Sequence, residues 1–279
     1  MSRLNRIAWT FAAVHAVLIL FSVVAFAVIV DKPPPAWAPP AMWSRSYALG
    51  MAWTGPLYIV TGFVAALAGW MAAVGARRGL ISAAIVVALA TVAELVGVQT
   101  GFPFGEYGYG TTLGPRLLGI VPVVIPLSWF CMLYASLAIA AWVGAGTRGA
   151  CVLAALGLVA WDVLMDPAMS AAFPFWSWHQ GGEYHGMPLV NWGGWMLTGL
   201  VLAAAALRYT GESWRAVGSS RLPMVLYALN GLFPFALALQ RGLTDAALIG
   251  GAAMLVFAVL PWLARLRVPR ASAVVARSR

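Results

Sequence analysis

Only eight of the 279 residues are acidic, and five of them, Glu94, Glu106, Asp162, Asp166 and Glu183, lie in or beside long apolar stretches. Glu94 stands in VAELVGVQTG (92–101), where a carboxylate facing lipid costs several kcal/mol, so it is expected to point into a bundle of helices. Asp162 and Asp166, in AWDVLMDPAM (160–169), are four residues apart and share one helical face. Like charges at that spacing repel, so one of the pair is expected to hold a proton while the other is ionised. An acid and a base then coexist within one turn. Of the remaining acidic residues, Asp31 and Asp245 sit near helix ends and Glu212 falls in a connection on the opposite face.

Two unusual segments adjoin these carboxylates. GFPFGEYGYG (101–110) is interrupted by glycine and proline and carries Glu106, so it belongs at a helix end or in a cavity, where glycine lets the backbone approach another group closely. FPFWSWHQGGEYHGMPLVNWGGW (173–195) is long for a connection and is expected to form a lid or re-entrant segment. Asn191 is placed there as the N-cap of the next helix, and Trp176 and Trp178 read as residues of an interfacial aromatic belt. His179, Glu183 and His185 invite a metal reading. Membrane di-iron oxygenases use many histidines, however, and this chain has three, one of them His15, placed at the inner end of the first helix; no metal and no other cofactor is expected.

The elements that position these groups follow from composition. With 62% hydrophobic and 9% charged residues, the chain lies far from the soluble average. Its apolar runs are helix-sized, which excludes a porin-like barrel. An all-α membrane bundle is predicted, a single domain over 1–279 with eight spans at about 7–30, 48–74, 80–99, 119–145, 149–166, 192–208, 222–240 and 244–264. Outer loops are expected at 100–118 and 167–191, and a basic tail at 265–279. With both termini cytoplasmic, all of the 17 Lys and Arg residues except Lys32, Arg45, Arg116 and Arg241 fall on the inner side, as the positive-inside rule requires. The net charge of +9 therefore points to anionic lipid headgroups and not to nucleic acid. The first helix is expected to be retained although AFA (25–27) resembles a cleavage site, because its apolar stretch is too long for a signal peptide. The run DKPPPAWAPP (31–40) reads as a stiff extended connector. Cys131 and Cys151 read as packing residues.

AELVGVQTGFPFGEYGY (93–109), LGIVPVVIPLSW (118–129), AWDVLMDPAM (160–169) and the aromatic lid ending NWGGW at 195 together resemble, in order and spacing, the CruF family of carotenoid biosynthesis membrane proteins. The resemblance covers about residues 90–200; the flanks match only as apolar helices. It implies a 1,2-hydratase (1',2' for a monocyclic substrate), which adds water to the terminal double bond of an acyclic or monocyclic carotenoid and gives a tertiary alcohol. It also implies a lipid-dissolved carotenoid as substrate, residence in a bacterial cytoplasmic membrane, and other carotenoid-biosynthesis enzymes as neighbours.

Such a reaction needs a neutral carboxylic acid, a second carboxylate to orient water and aromatic faces to stabilise a cation. Asp162 or Asp166 with Glu94 supply the first two, and Glu106 or Glu183 compete with Glu94 for the water. Tyr107, Trp161, Trp178 and Tyr184 are candidates for the third, with His185 and Asn191 also expected to contact substrate. A ring-forming cyclase shares the protonation step and differs only in what captures the cation. A proton-coupled transporter would also keep intramembrane carboxylates, but its repeated halves are not apparent.

Overall fold

The computed structural model describes residues 2–267; the basic tail from 268 onward lies outside the described residues. Eight α-helices follow one another: α1 (Arg3–Val28), α2 (Pro40–Val74), α3 (Ala76–Thr100), α4 (Ile125–Trp142), α5 (Thr147–Pro167), α6 (Val190–Thr210), α7 (Leu222–Gln240) and α8 (Thr244–Arg267). Seven are long and apolar enough to cross a membrane, and α8 adds a shorter apolar stretch over Thr244–Leu260. The chain is thus an integral membrane helical bundle.

Helix α4 is apolar on all sides and is the most deeply buried, as such a helix must be. It packs against α2, α3, α5 and α7. Around this centre α1 covers α2 and α7, α6 covers α3 and α5, and α8 covers α5 and α7. The outer helices turn bare apolar side chains outward, including Val17, Leu20 and Val24 of α1 and Leu248, Leu255 and Val256 of α8. That is the surface a bilayer solvates.

Two helices start elsewhere than the apolar pattern predicts. The structure begins α2 at Pro40, eight residues before the expected 48, because proline suits the first helical turn and the polar residues up to Tyr47 extend the helix past its apolar part. It begins α4 at Ile125 and not at 119. Leu118 and Gly119 have positive φ and turn the chain into a short hairpin, in which β2 (Arg116–Leu117) pairs antiparallel with β3 (Val121–Pro122). The loop expected to end at 118 therefore runs to 124.

Prolines inside α5 and α7 fix the orientation of aromatic side chains on other elements. α5 ends at Pro167 without breaking the helical path, because the chain continues directly into a π-helical turn, Ala168–Ala172. Having no N–H, proline leaves the carbonyl four residues earlier without its helical donor. At α5 that carbonyl is Val163 O, and the Tyr184 hydroxyl donates to it at 3.2 Å. At α7 Pro234 frees Asn230 O, and the Trp161 indole Nε1 donates to it at 3.0 Å. In each case an aromatic residue from another element fills the gap and is fixed by doing so.

The loops at 29–39, 101–124, 168–189 and 241–243 gather at one end of the bundle. Arg241 Nη2 meets Asp31 Oδ2 at 2.7 Å and His185 Nε2 meets Asp245 Oδ2 at 3.1 Å, tying these loops together. The opposite end is closed by a 3₁₀ segment, Gly211–Ser219, whose Gly218 carbonyl accepts from the Trp142 indole.

The proline gap can be tested by a double-mutant cycle. Trp161→Phe should cost about 1–3 kcal/mol of stability by stranding Asn230 O. The cost should shrink in a Pro234→Ala background, where the new N–H can reach that carbonyl. Unfolding curves of the four proteins in detergent measure the difference.

Candidate functional site

Glu94 and Asp166 come to one cavity through a two-stranded ladder. After α3 the chain turns at Gly101, in the left-handed region at φ 74°, and again at Gly105. The latter has φ 108°, and a Cβ there would lie 2.8 Å from Pro188 Cγ, so only glycine fits. The chain then enters β1 (Tyr107–Tyr109), which pairs antiparallel with β4 (Trp176–Trp178); Tyr107 faces Trp178 and Tyr109 faces Trp176. Alternation along each strand puts both tyrosines and both tryptophans on one face. Arg116 Nη2 holds the end of β1 by donating to Tyr109 O at 2.8 Å and to Gly110 O at 2.6 Å.

Each pair of rings serves one carboxylate. The Tyr107 and Tyr109 hydroxyls both donate to Glu94 Oε2 at 2.6 Å, and Trp129 Nε1 of α4 donates to Oε1 at 2.7 Å. Burial, reinforced by the facing Glu94 carboxylate, holds both phenols well above their ordinary range, so they remain donors. On the other strand Trp178 Nε1 donates to Asp166 Oδ1 at 2.9 Å, as does Ser170 Oγ at 2.9 Å. Trp176 Nε1 stands 3.4 Å from Oδ2. Asp166 is therefore held firmly through one oxygen and loosely through the other.

Asp162 is fully buried one turn earlier in α5. Its Oδ2 accepts from Asn191 Nδ2 at 2.9 Å, and its Oδ1 has no partner among the described residues. Asn191 lies inside the first turn of α6 and not at its N-cap; Leu189 occupies that position, and its N–H goes to Glu183 Oε2 at 3.3 Å. An amide aimed at a buried carboxylate cannot also cap its own helix.

The carboxylates of Glu94 and Asp166 line a cavity of about 80 Å³. Trp129 and Trp195 stack in its wall with centroids 4.0 Å apart, and Trp161 meets Trp195 edge-on at 5.8 Å. Tyr58, Tyr107, Trp178, Asn191 and Asn230 also line it. Asp162 does not line the cavity, although Asn191, which it holds, does.

Besides Asp162, four residues expected at the site lie outside this wall. Glu106 is exposed, and its backbone carbonyl, not its side chain, accepts from His179 N–H at 2.9 Å. Glu183 is exposed in the loop that precedes α6. Tyr184 caps Val163 O, its hydroxyl pushed up to about 12 mainly by burial. His185 pairs with Asp245. Among the described residues no three His, Cys, Asp or Glu side chains gather as metal ligands. His15 is buried halfway along α1, away from its expected inner end, with Nδ1 2.8 Å from Tyr58 O and Nε2 3.3 Å from Asn230 Nδ2.

The sequence reading missed Tyr58, Tyr109, Trp129, Trp195 and Asn230 as wall residues, and took Trp176 for a belt residue only. The alternations YGY and WSW were the signal for Tyr109 and Trp176. Nothing local distinguishes Trp129 from other tryptophans of a membrane helix.

Fold and site together define a membrane-embedded carboxylate centre walled by aromatic rings. The family described as "Carotenoid biosynthesis protein" matches residues 54–257, and the chain belongs to that family. It is also 40% identical over 114 residues to the bisanhydrobacterioruberin hydratase of Haloarcula japonica, a match covering 39% of this chain and 38% of that protein. The chain thus spans well under half of that relative's length. No solved structure matches.

The clamp on Glu94 predicts a specific stability defect. In Glu94→Gln the amide NH₂ must face a donor, either Trp129 or the tyrosine pair, and the loss should be roughly 1.5–3 kcal/mol. Tyr109→Phe should cost less, about 1 kcal/mol, because Tyr107 still serves the same oxygen. Thermal unfolding in detergent, with the Trp129 indole N–H resonance as a local reporter, checks both.

Proposed function

We propose that the protein is a carotenoid 1,2-hydratase. The observation that carries this reading is the pair of carboxylates, Glu94 and Asp166, facing one small aromatic cavity inside a lipid-embedded bundle. The family match and the likeness to a hydratase support it from outside the structure.

The roles follow from how tightly each oxygen is held. Both Glu94 oxygens accept short bonds from three donors, which suits a fixed anion. Asp166 Oδ2 has one donor at 3.4 Å, which suits the oxygen that carries a proton. Asp166 gives that proton to C2 of the terminal double bond, the π electrons form the new C–H bond, and C1 becomes a tertiary cation. The indole faces of Trp129, Trp161 and Trp195 and the Glu94 charge stabilise it. Water, oriented by Glu94, bonds to C1 through an oxygen lone pair, and the single proton it then loses passes by way of Glu94 back to the Asp166 carboxylate. Atoms and charge balance without a redox step. Asp162 is assigned a positioning role, holding Asn191 in the wall.

The same reading places the chain in a cytoplasmic membrane as one domain with both termini inside, as the distribution of Lys and Arg supports. The carboxylates then lie toward the outer face, from which water arrives.

Expression in a host that accumulates lycopene or γ-carotene, followed by liquid chromatography and mass spectrometry, tests the reading. A product heavier by one water is expected, and Asp166→Asn and Glu94→Gln should each lower its rate by ~10²-fold or more. Asp162→Asn should lower it less. An isomer of unchanged mass would replace hydration by ring formation.

A further inference from the structure

A second cavity, of about 210 Å³, lies between the ends of α1 and α2 nearest the site. Phe21, Phe26, Trp43, Tyr47 and Gly50 line it, and it shares two wall residues, Tyr58 and Phe175, with the cavity that holds the carboxylates. We propose that this second cavity receives the polyene chain of the same substrate molecule whose end group occupies the first, and that the cleft between α1 and α2 is its entrance from the bilayer. The inference rests on the hydratase reading for the identity of the chain, but it adds a binding site and a route.

Four observations carry it. The first cavity, at about 80 Å³, accommodates a chain end and not a polyene comparable in length to the ~30 Å hydrocarbon core. The remainder must leave through a wall, and the wall shared with the second cavity is aromatic. There Phe26 packs on Phe175 and Phe233 at 6.3 and 5.3 Å, and Tyr58 on Phe233 at 5.9 Å, a cluster of rings that gives a conjugated chain an apolar aromatic surface to lie against.

The lining is mostly apolar, with Phe21, Ala25, Phe26, Ile29, Val30 and Met51 among its residues, and the Ser22 hydroxyl is turned back to Leu18 O at 2.8 Å. Finally, the cleft opens sideways. Phe21, in the lining, is 51% exposed on the lipid-facing side of α1, whereas the loop end of the bundle is covered by the β1–β4 ladder and the Arg241–Asp31 pair. A molecule dissolved in the membrane meets the cleft first.

Gly50 allows a direct test, since a Cβ there would meet nothing within 4 Å. A Gly50→Trp side chain therefore has room to enter the cavity without disturbing the helix. Lycopene binding to protein in lipid vesicles is followed by the induced visible circular dichroism of the polyene, in an Asp166→Asn background so that turnover does not intervene. Gly50→Trp should weaken binding by about tenfold or more, with Ala25→Phe, across the cleft, giving the same result should Gly50→Trp fail to fold. Leu248→Trp on the outer face of α8 serves as the control.

In the active protein, Gly50→Trp should lower the ratio of carotenoid turnover to turnover of a short isoprenoid hydrocarbon with the same branched alkene end. Unchanged lycopene binding in both cavity variants would overturn the proposal, leaving the cleft to a lipid acyl chain. Binding by the Asp166→Asn protein that weakens as expected, with no alcohol formed by the wild type, would retain the chain site and remove the hydration reading. No lycopene binding by the unmodified cavity would remove both.

Discussion

The rest of the site is arranged around the need to keep the Glu94 carboxylate, 4% exposed, inside an apolar bundle. A charge there is tolerable only if donors reach both of its oxygens. Three donors do so, from two different parts of the chain. Trp129 comes from the central helix α4, which fixes the rotation of α4 against α3. Tyr107 and Tyr109 come from β1, which must therefore fold back over the end of α3 after the glycine turn. Once β1 is held over the bundle, its free edge pairs with β4, and that pairing delivers Trp176 and Trp178 to Asp166. One buried carboxyl group thus accounts for the turn, the ladder and the placement of the second carboxylate.

The prolines of α5 and α7 obey the same demand for donors. A proline in a membrane helix strands a carbonyl in a medium with no water to satisfy it. Val163 O and Asn230 O are such carbonyls, and each is answered by an aromatic side chain beside the site. Trp161 is therefore fixed in the cavity wall by the backbone of α7 rather than by packing alone. The constraint links helix chemistry to ring orientation, since an indole that must donate to a set carbonyl cannot turn freely in the cavity.

Much of this was readable from the chain. Long apolar runs gave the helices, and the scarcity of carboxylates drew attention to Glu94, Asp162 and Asp166, all three buried in the bundle. The start of α4 was misread because apolar residues at 119–124 look the same in a helix as in a hairpin; the positive φ of Leu118 and Gly119 decided the matter. Glu106 and Glu183 fell on the same side of the bundle as the site but outside it, because sequence position sets depth and not direction. Asn191 looked like a cap because caps are local, whereas its true partner is Asp162, on another helix. The pairing of residues 107–109 with 176–178 could not be read from either segment alone. It depends on α4 and α6, each of which packs against both α3 and α5 and so brings the segments that follow those two helices together, an arrangement that only the packing of the bundle establishes.

That pairing also bears on the order in which the chain can assemble. The bonds to Asp166 come from Ser170, Trp176 and Trp178, all a short way along the chain from it, so its cage can close as soon as α5 and its following turn are in the membrane. Glu94 needs Trp129 and a β1 strand whose partner is made much later in synthesis. Until β4 emerges, β1 is held only by Arg116 and by the tyrosine bonds to Glu94, and its free edge stays unpaired. The cavity is completed later still, because Asn191 and Trp195 of α6 and Asn230 of α7 join its wall only after β4 has been made.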